Sequence, residues 1–486
     1  MFELEEITVA QLKTAYASGV VSCHEVVQSY IDRIERFDAA GPGINSIITV
    51  NPAALDEAEV ADARLRRTGL QRVLEGIPVI LKDQIDCAGM PTTLGSVLFK
   101  DFFPDRDATV VTKLKEAGAL ILAKATLGEL GAGDAHGTLY GSTRNPYDRD
   151  RTAGGSSGGP AAAMSCNFGT IAVGQEGFAS IRRPASWNCT VGMRPTSGLV
   201  SRSGSYHGGP SVRGVLGPMT RSVEDLAVLL DVLVGYDPED ASTALSVGKT
   251  VPSYSEFLRP GTLRGARLGI LRDSIGFMSE PSSSDFDTVD RSFEFAVQEL
   301  TGAGAVVVDP TTIPNIRESF QHRYPVSNVA EATFAEYFGR NKKTPFATAA
   351  ELDNAIAGLD LYHDKTRVVA GTVEEGKLNR ERLFIALLKV MTDLKLDAIV
   401  HKSVEHQPTL IADGVNPPYV NQKGAPYINT FLEFASSITV PAGFTGDHLP
   451  TGITFLGRPY DEGRLIGLAF DYEQLTQHRT PPDLAV

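Results

Sequence analysis

The segment IPVILKD, Ile77–Asp83, decides the fold that the sequence predicts. An apolar run follows Gly76 without interruption and ends abruptly in Lys82 and Asp83. A short apolar run without alternation is typical of a strand buried on both faces, as in a sheet that lies between layers of helices. The segment therefore predicts a central strand with a lysine at its end.

Helix and strand patterns alternate along the rest of the chain. Apolar residues at helical spacing predict helices within residues 8–66. Further helices are predicted at 109–118, from 160 onward and at 222–235, and further strands at 119–125, 170–174, 268–271, 305–308, 398–400, 438–443 and 453–457. Strands that alternate with helices predict a single large α/β domain, residues 1–486, with an open mixed β-sheet covered by helices on both faces.

The composition of the 486 residues excludes several classes of protein. A formal net charge of -14 argues against a surface for nucleic acid or anionic membranes, because both need clustered Lys and Arg. Four cysteines without C-x-x-C spacing give little support for disulfides or a zinc site. The N-terminus has no apolar export signal and no run is long enough to span a membrane, so we predict a cytoplasmic protein.

A second segment, GGSSGGP at Gly154–Pro160, surrounds two adjacent serines with glycines; we call it the Gly-Ser segment. It matches G-x-S-x-G, the nucleophile motif of α/β hydrolases, but a polar turn sequence precedes it instead of a buried strand. A phosphate-binding loop would need a lysine after the glycines, and none follows. A glycine-rich turn that caps a helix with its serines is the simplest structural interpretation.

Lys82 gives the Gly-Ser segment a chemical interpretation. A charged amine at the end of a fully apolar run is costly to bury, so burial should lower the pKa of Lys82 and favour the neutral amine. A neutral amine can act as a base. A further serine, Ser180, begins the segment SIRRPAS, which lies downstream of Ser156.

Three segments in order resemble the amidase signature family. They read GIPVILKDQIDCAGMPTTLGS, GSTRNPYDRDRTAGGSSGG, and GQEGFASIRRPAS followed by VGMRPTSGLVSRSG. The C-terminal segments ITVPAG and LPTGITFLGRPYDEGRLIGLAFDYEQ also resemble the end of the family's sequences. The resemblance is strong over residues 5–235 and 430–480 and thin between them. The ordered occurrence of three motifs is more specific than any one of them.

The resemblance implies a Ser-Ser-Lys triad at Ser180, Ser156 and Lys82. Ser180 would attack the amide carbonyl and form an acyl-enzyme. Ser156, which follows a cis peptide bond in the family, would relay protons to Lys82, the base. A serine hydroxyl needs such a positioned base to act as a nucleophile at pH 7. Ser157 would support Ser156 by a hydrogen bond or cap the following helix.

The resemblance places the oxyanion hole at the backbone N–H groups of Gly177, Phe178 and Ala179. Where the family commonly reads G-T/S-D-T-G-G-S, this chain reads GQEGFAS. Phenylalanine and alanine lack the freedom of glycine at positive φ, so we expect a loop held in a different or less permissive geometry. The ring of Phe178 could narrow the pocket, stack on an apolar substrate or simply pack within the protein.

We therefore expect an amide hydrolase that cleaves a small or medium carboxamide to a carboxylate and ammonia or an amine, with no cofactor and no metal. The loop GQEGFAS and the ending YEQLTQHRTPP favour a free-standing amidase. One alternative is the glutamine-hydrolysing subunit of a tRNA-dependent amidotransferase, which delivers ammonia to a partner protein. The other is an inactive relative that serves as a scaffold.

The resemblance also divides the single domain. The signature core is expected at about residues 70–235, and a variable, substrate-facing region at about 265–430. The small side chains of GAGDA, residues 131–135, suggest room for a substrate near the core. The expected partner is a small-molecule amide, with neither nucleic acid nor membrane, and a homodimer is left open.

Overall fold

The computed structural model describes residues 3–69, 72–206, 214–320, 330–359, 371–417, 419–426 and 434–485. Its strands, in chain order, are β1 (Ile47–Val50), β2 (Pro78–Lys82), β3 (Leu120–Ala125), β4 (His136–Gly137), β5 (Gly141–Ser142), β6 (Arg144–Asn145), β7 (Asp148–Thr152), β8 (Ile171–Glu176), β9 (Val191–Arg194), β10 (Val215–Thr220), β11 (Arg267–Leu271), β12 (Val306–Thr311), β13 (Ala398–Lys402), β14 (Ser437–Phe444) and β15 (Pro450–Leu456).

The α-helices are α1 (Val9–Ser18), α2 (Cys23–Ile34), α3 (Ala54–Thr68), α4 (Thr109–Glu116), α5 (Gly158–Ser165), α6 (Arg182–Trp187), α7 (Val223–Leu233), α8 (Ser284–Gly302), α9 (Ile316–Phe320), α10 (Ala330–Phe338), α11 (Ala349–Ala357), α12 (Val373–Asp393), α13 (Ile411–Val415) and α14 (Glu462–Thr476). Across the described ranges, none of the helices is both long enough and apolar enough to cross a bilayer.

Eleven strands form one sheet in the order β1-β3-β2-β8-β10-β9-β14-β15-β13-β11-β12. β2 runs parallel to β3 and β8, and β11 runs parallel to β12 and β13. The other neighbours are antiparallel. Every residue of β2, β3 and β8 is buried, so the sheet is covered on both faces in this part. The predicted α/β domain with an open mixed sheet is confirmed.

Three strands of the sheet, β1, β9 and β10, have no clear signal in the sequence. β9 ends in Arg194, which is 1% exposed. β10 contains Gly217 and Pro218, two residues that weaken a strand pattern. β1 is four residues long and lies within the region predicted as helical. Buried polar residues, glycine and proline interrupt the apolar runs on which strand prediction depends.

The polar residues that precede the Gly-Ser segment form a strand instead of the predicted turn. β7 pairs with β6 in a two-stranded hairpin that is separate from the central sheet. The chain then reaches Ser156 from this hairpin. It differs in this respect from a nucleophile elbow, where the serine follows a strand of the main sheet.

The glycines of the Gly-Ser segment allow α5 to pack closely on β3. α5 is buried along its whole length and has Pro160 in its first turn, where proline is tolerated. A Cβ atom added at Gly159 would lie 2.3 Å from the carbonyl oxygen of Thr126 and 2.6 Å from its nitrogen. Only glycine fits at this contact without a shift of the backbone.

We expect Gly159→Ala to lower the melting temperature, because the added methyl group presses on backbone atoms that cannot move aside. Overpacking of this kind costs about 1–3 kcal/mol. Gly302→Ala is the matched control, since a Cβ atom there meets nothing within 4 Å and should leave stability unchanged or slightly higher. Thermal unfolding followed by circular dichroism measures both variants, and equal melting temperatures would contradict the close contact.

Candidate active site

The structure brings Lys82 and Ser156 into direct contact. Lys82 is the last residue of β2, and Ser156 lies just before α5. A hydrogen bond of 2.7 Å joins Lys82 Nζ to Ser156 Oγ, and both side chains are fully buried. The Gly155–Ser156 peptide bond is cis, as the resemblance implied. Two residues 74 positions apart in the sequence thus form one buried amine–hydroxyl pair.

Burial controls the charge of Lys82. Loss of water around the amine lowers the pKa of Lys82 well below its usual value, and the negative charge of Glu176 opposes this only in part. The amine has backbone and side-chain oxygens nearby, at 3.2 Å from Gln175 O and 3.5 Å from Gln175 Oε1. A buried amine with a lowered pKa can accept a proton from a serine hydroxyl.

Ser157 forms side-chain hydrogen bonds to Gln175, and among the described residues no hydrogen bond joins its side chain to Ser156. Its Oγ donates to Gln175 O at 3.1 Å and accepts from Gln175 N at 3.2 Å. Although Ser157 is the residue before α5, its side chain makes no capping hydrogen bond to the helix. Ser157 therefore ties the Gly-Ser segment to the end of β8, next to Lys82.

Ser180 lies beside the other two residues of the predicted triad. Its carbonyl oxygen accepts a hydrogen bond of 3.0 Å from Ser157 N, the residue next to Ser156. Ser180 is partly exposed, whereas Ser156 is fully buried. Within the described ranges, Ser180 Oγ makes no hydrogen bond. The backbone of Ser180 is thus joined to the Gly-Ser segment, and its side chain is more exposed than the buried amine–hydroxyl pair.

The predicted oxyanion segment adopts an ordinary backbone conformation. None of Gly177, Phe178 and Ala179 has a positive φ. Phenylalanine and alanine therefore fit here without backbone strain. Among the described acceptors, none receives a hydrogen bond from the N–H of Gly177 or Ala179. Both N–H groups can serve an oxyanion.

Glu176 organises the backbone around the nucleophile, a role that sequence reasoning missed. Its buried carboxylate accepts hydrogen bonds from the N–H groups of Ile181 (2.9 Å) and Arg182 (3.0 Å). The Arg182 guanidinium also donates to it twice, at 3.0 and 2.7 Å. These contacts tie the end of β8 to the backbone that follows Ser180. An acidic residue four positions before a serine and an arginine two positions after it are the only signal in the sequence.

A second buried ion pair, Asp134–Arg183, was also missed. The Arg183 guanidinium pairs with Asp134 and donates a hydrogen bond of 2.7 Å to Gly155 O, the carbonyl before Ser156. A Cβ atom at Gly155 would lie 2.5 Å from Gly133 O. The small residues of GAGDA therefore pack directly against the Gly-Ser segment. The sequence had suggested that they leave room for a substrate.

We expect the Asp134–Arg183 pair to show strong energetic coupling. Arg183→Met leaves the buried Asp134 carboxylate without its partner, and breaking a buried pair costs about 3–5 kcal/mol. The double variant Arg183→Met/Asp134→Asn removes that charge as well and should lose less than the sum of the two single losses. Urea unfolding midpoints measure the cycle.

An exposed ion pair provides the control for that cycle. Arg106 and Glu239 lie 2.7 Å apart with side chains 49% and 45% exposed, and Arg106→Met should cost no more than about 1 kcal/mol. Additive losses at Asp134 and Arg183 would contradict a coupled pair.

The structure shows neither a disulfide nor a metal-binding cluster among the described residues. All four cysteines are free and buried. In the part of the chain that the structure describes, no group of three or more His, Cys, Asp or Glu side chains is arranged to hold a metal ion.

Comparison with known proteins identifies the family. The sequence model of the family described as Amidase matches residues 25–466. This chain belongs to the amidase family. The match includes every residue of the predicted triad, so the resemblance read from three motifs holds for most of the chain.

Curated relatives of this amidase are similar over nearly their full length. The A subunit of the glutamyl-tRNA(Gln) amidotransferase of Thermoanaerobacter pseudethanolicus is 31% identical, over 99% of this chain and 98% of that relative. The corresponding protein of Gloeobacter violaceus, of the same name, is 32% identical over 98% of both chains. These names run against the expectation of a free-standing enzyme, since they describe subunits.

Solved structures similar to this amidase include a peptide amidase and an amidotransferase subunit. The peptide amidase of Stenotrophomonas maltophilia superposes with a TM-score of 0.86 at 32% identity and covers 100% of both chains. The A subunit of the glutamyl-tRNA(Gln) amidotransferase of Thermotoga maritima gives a TM-score of 0.76 at 26% identity, covering 100% of this chain and 99% of that one. The family is thus settled, whereas the comparisons leave open which of the two roles this member has.

Proposed function

We propose that this amidase hydrolyses a small or medium carboxamide through an acyl-enzyme at Ser180, with Ser156 and Lys82 as its proton relay. The observation that carries the proposal is the fully buried Lys82 amine, 2.7 Å from Ser156 Oγ, with a pKa lowered by burial. A neutral amine in this position can activate a serine hydroxyl without a histidine.

The first half of the reaction forms the acyl-enzyme. Ser180 Oγ bonds to the carboxamide carbon while its proton passes to Ser156 Oγ, whose own proton passes to Lys82 Nζ. Charge develops on the carbonyl oxygen, where the N–H groups of residues 177–179 stabilise it; one such donor is worth about 2.7–4 kcal/mol. The C–N bond then breaks as Lys82 returns its proton, through Ser156, to the leaving nitrogen.

Water completes the reaction. It attacks the ester carbon at Ser180 and gives up a proton through Ser156 to Lys82. The Ser180 Oγ–carbon bond then breaks as Lys82 returns that proton, through Ser156, to Ser180 Oγ. The products are a carboxylate and ammonia or an amine. These steps use only residues of this chain, so we propose an enzyme that works without a cofactor.

The free-standing role is our first choice. Its support is the higher structural similarity to a peptide amidase, with a TM-score of 0.86 against 0.76 for the amidotransferase component. We further propose a small-molecule amide as substrate, a cytoplasmic location and no binding of nucleic acid, in keeping with the net charge of -14. The substrate-facing role of residues 265–430 also remains a proposal.

The second candidate is a glutamine-hydrolysing subunit that passes ammonia to a partner protein. Curated relatives at 31% and 32% identity favour it. Copurification with a second subunit, together with hydrolysis restricted to glutamine, would decide for this role. Ammonia release from a panel of primary amides by the isolated chain would decide against it.

The proposal is tested by intact-protein mass after exposure to a fluorophosphonate. We expect one adduct on the wild type, none on Ser180→Ala and a slowly formed adduct on Lys82→Ala, since loss of a general base slows such a step by about 10²–10⁴-fold. Ser165→Ala, a fully buried serine of α5 outside the site, is the matched control and should react like the wild type. A folded wild type without an adduct would favour the inactive scaffold.

The lowered pKa of Lys82 predicts the pH dependence of this labelling. The neutral amine is the active form, so the rate should rise with pH through the pKa of Lys82 and then level off. Because burial lowers that pKa, the rise should end well below the usual lysine value of 10.5. Second-order labelling rates across pH measure this. A midpoint near 10.5 would contradict a base whose pKa is lowered by burial.

A further inference from the structure

The site carries an aromatic surface that the proton relay does not use. Phe178 lies two residues before Ser180, and its side chain is partly exposed. It packs against a buried apolar cluster that comes mainly from the second half of the chain. This cluster includes Leu271, Ile275, Ile313, Leu387, Ile399 and Leu456.

Two more phenylalanines lie on the same cluster. Phe277 follows β11, and Phe384 belongs to α12; both are partly buried and pack against the same cluster as Phe178. The ring of Phe434, just before β14, lies 6.4 Å from that of Phe384 between centroids. We call Phe178, Phe277 and Phe384 the aromatic wall. Three separate parts of the fold thus bring half-exposed rings to one apolar cluster.

The backbone around Phe277 is held in place. Phe277 N donates to Ala425 O at 2.8 Å, and Gly424 N donates to Phe277 O at 2.7 Å. The buried carboxylate of Glu405 accepts a hydrogen bond of 2.6 Å from Ile275 N. Glu405 also accepts from two nearby hydroxyls, Ser274 Oγ (2.7 Å) and Ser279 Oγ. A surface that is already fixed loses little conformational entropy when a ligand binds.

We propose that the aromatic wall is the subsite for an aromatic or bulky apolar group attached next to the scissile carboxamide. The inference rests on the proposed function, because the backbone of Phe178 belongs to the segment assigned to the oxyanion. If the carbonyl oxygen sits at that segment, the group next to the carbonyl carbon lies near the ring of Phe178.

The chemistry of the wall selects against a small polar substrate. The three rings of the wall offer aromatic contacts, and the cluster beneath them is apolar. Neither can form hydrogen bonds to a charged group of a substrate. Ligand pockets are commonly apolar with a few polar groups that fix orientation, here the backbone N–H groups and the catalytic residues. An amide with a benzyl group fits this surface better than glutamine, which carries two charges close to its carboxamide chain.

The test compares two amides that differ only by the benzyl group, N-acetyl-L-phenylalaninamide and N-acetylglycinamide. Ammonia release gives kcat and KM for each. In an apolar pocket, a single methylene group changes kcat/KM by about 10–200-fold. A benzyl group is larger, so we expect the wild type to favour the phenylalanine amide by about 100-fold in kcat/KM. Most of the difference should lie in KM if the wall binds the ring before the reaction.

Variants of the wall should reduce this preference. We expect Phe277→Ala and Phe178→Ala to lower the kcat/KM ratio of the two amides at least tenfold. Phe277→Leu, which keeps an apolar side chain, should lower it less and provides a readout if the alanine variants fail to fold. Phe257→Ala is the matched control: this ring is also partly buried, but it packs against Gly463 of α14 and should leave the ratio unchanged.

The outcomes separate this inference from the function on which it rests. Equal kcat/KM for the two amides, a ratio that the wall variants do not change, or faster hydrolysis of glutamine would overturn the aromatic subsite and leave an active amidase. A wild type that hydrolyses neither amide nor glutamine, and whose Ser180 forms no fluorophosphonate adduct, would overturn both.

Discussion

The burial of one amine, Lys82 Nζ, is the constraint on which the site depends. β2 lies between β3 and β8 in a part of the sheet where every residue is buried, so water cannot solvate an ammonium at its end. The neutral amine costs far less to bury. It needs a hydroxyl and carbonyl oxygens within hydrogen-bond distance, and Ser156 and Gln175 provide them. A buried neutral amine can accept a proton, whereas an exposed lysine is ordinarily an acid at neutral pH.

A second buried lysine shows why this environment matters. Lys124, on β3, is fully buried as well, but it lies 3.2 Å from the equally buried carboxylate of Asp83. Lys82 instead contacts a hydroxyl and backbone and side-chain oxygens, and the nearby carboxylate of Glu176 is bound by Arg182. Two buried lysines on neighbouring strands thus have different partners, set by where the carboxylates are bound.

The sequence predicts the parts of this site that depend on local pattern. The apolar run before Lys82 predicts β2, and the ordered motifs predict Ser156 and Ser180. Both signals are local, since each depends on residues that are close together in the sequence. The Asp134–Arg183 pair could not be predicted in this way. Its members are 49 positions apart, and only the approach of GAGDA to the Gly-Ser segment, which requires glycine at 155, brings them together.

The ordinary backbone of the predicted oxyanion segment agrees with its residue types, because Phe178 and Ala179 disfavour positive φ. The sequence does not show how the neighbouring backbone is held, which depends on hydrogen bonds from the N–H groups after Ser180 to the Glu176 carboxylate. With ordinary φ values at residues 177–179, a side chain is tolerated at 178, and its ring can reach beyond the catalytic core. The chemistry then comes from residues 82–180, and the apolar cluster comes mostly from residues 271–456. Phe178 is where the two meet, so a substitution at this one position can change the choice of substrate while Ser180, Ser156 and Lys82 stay the same.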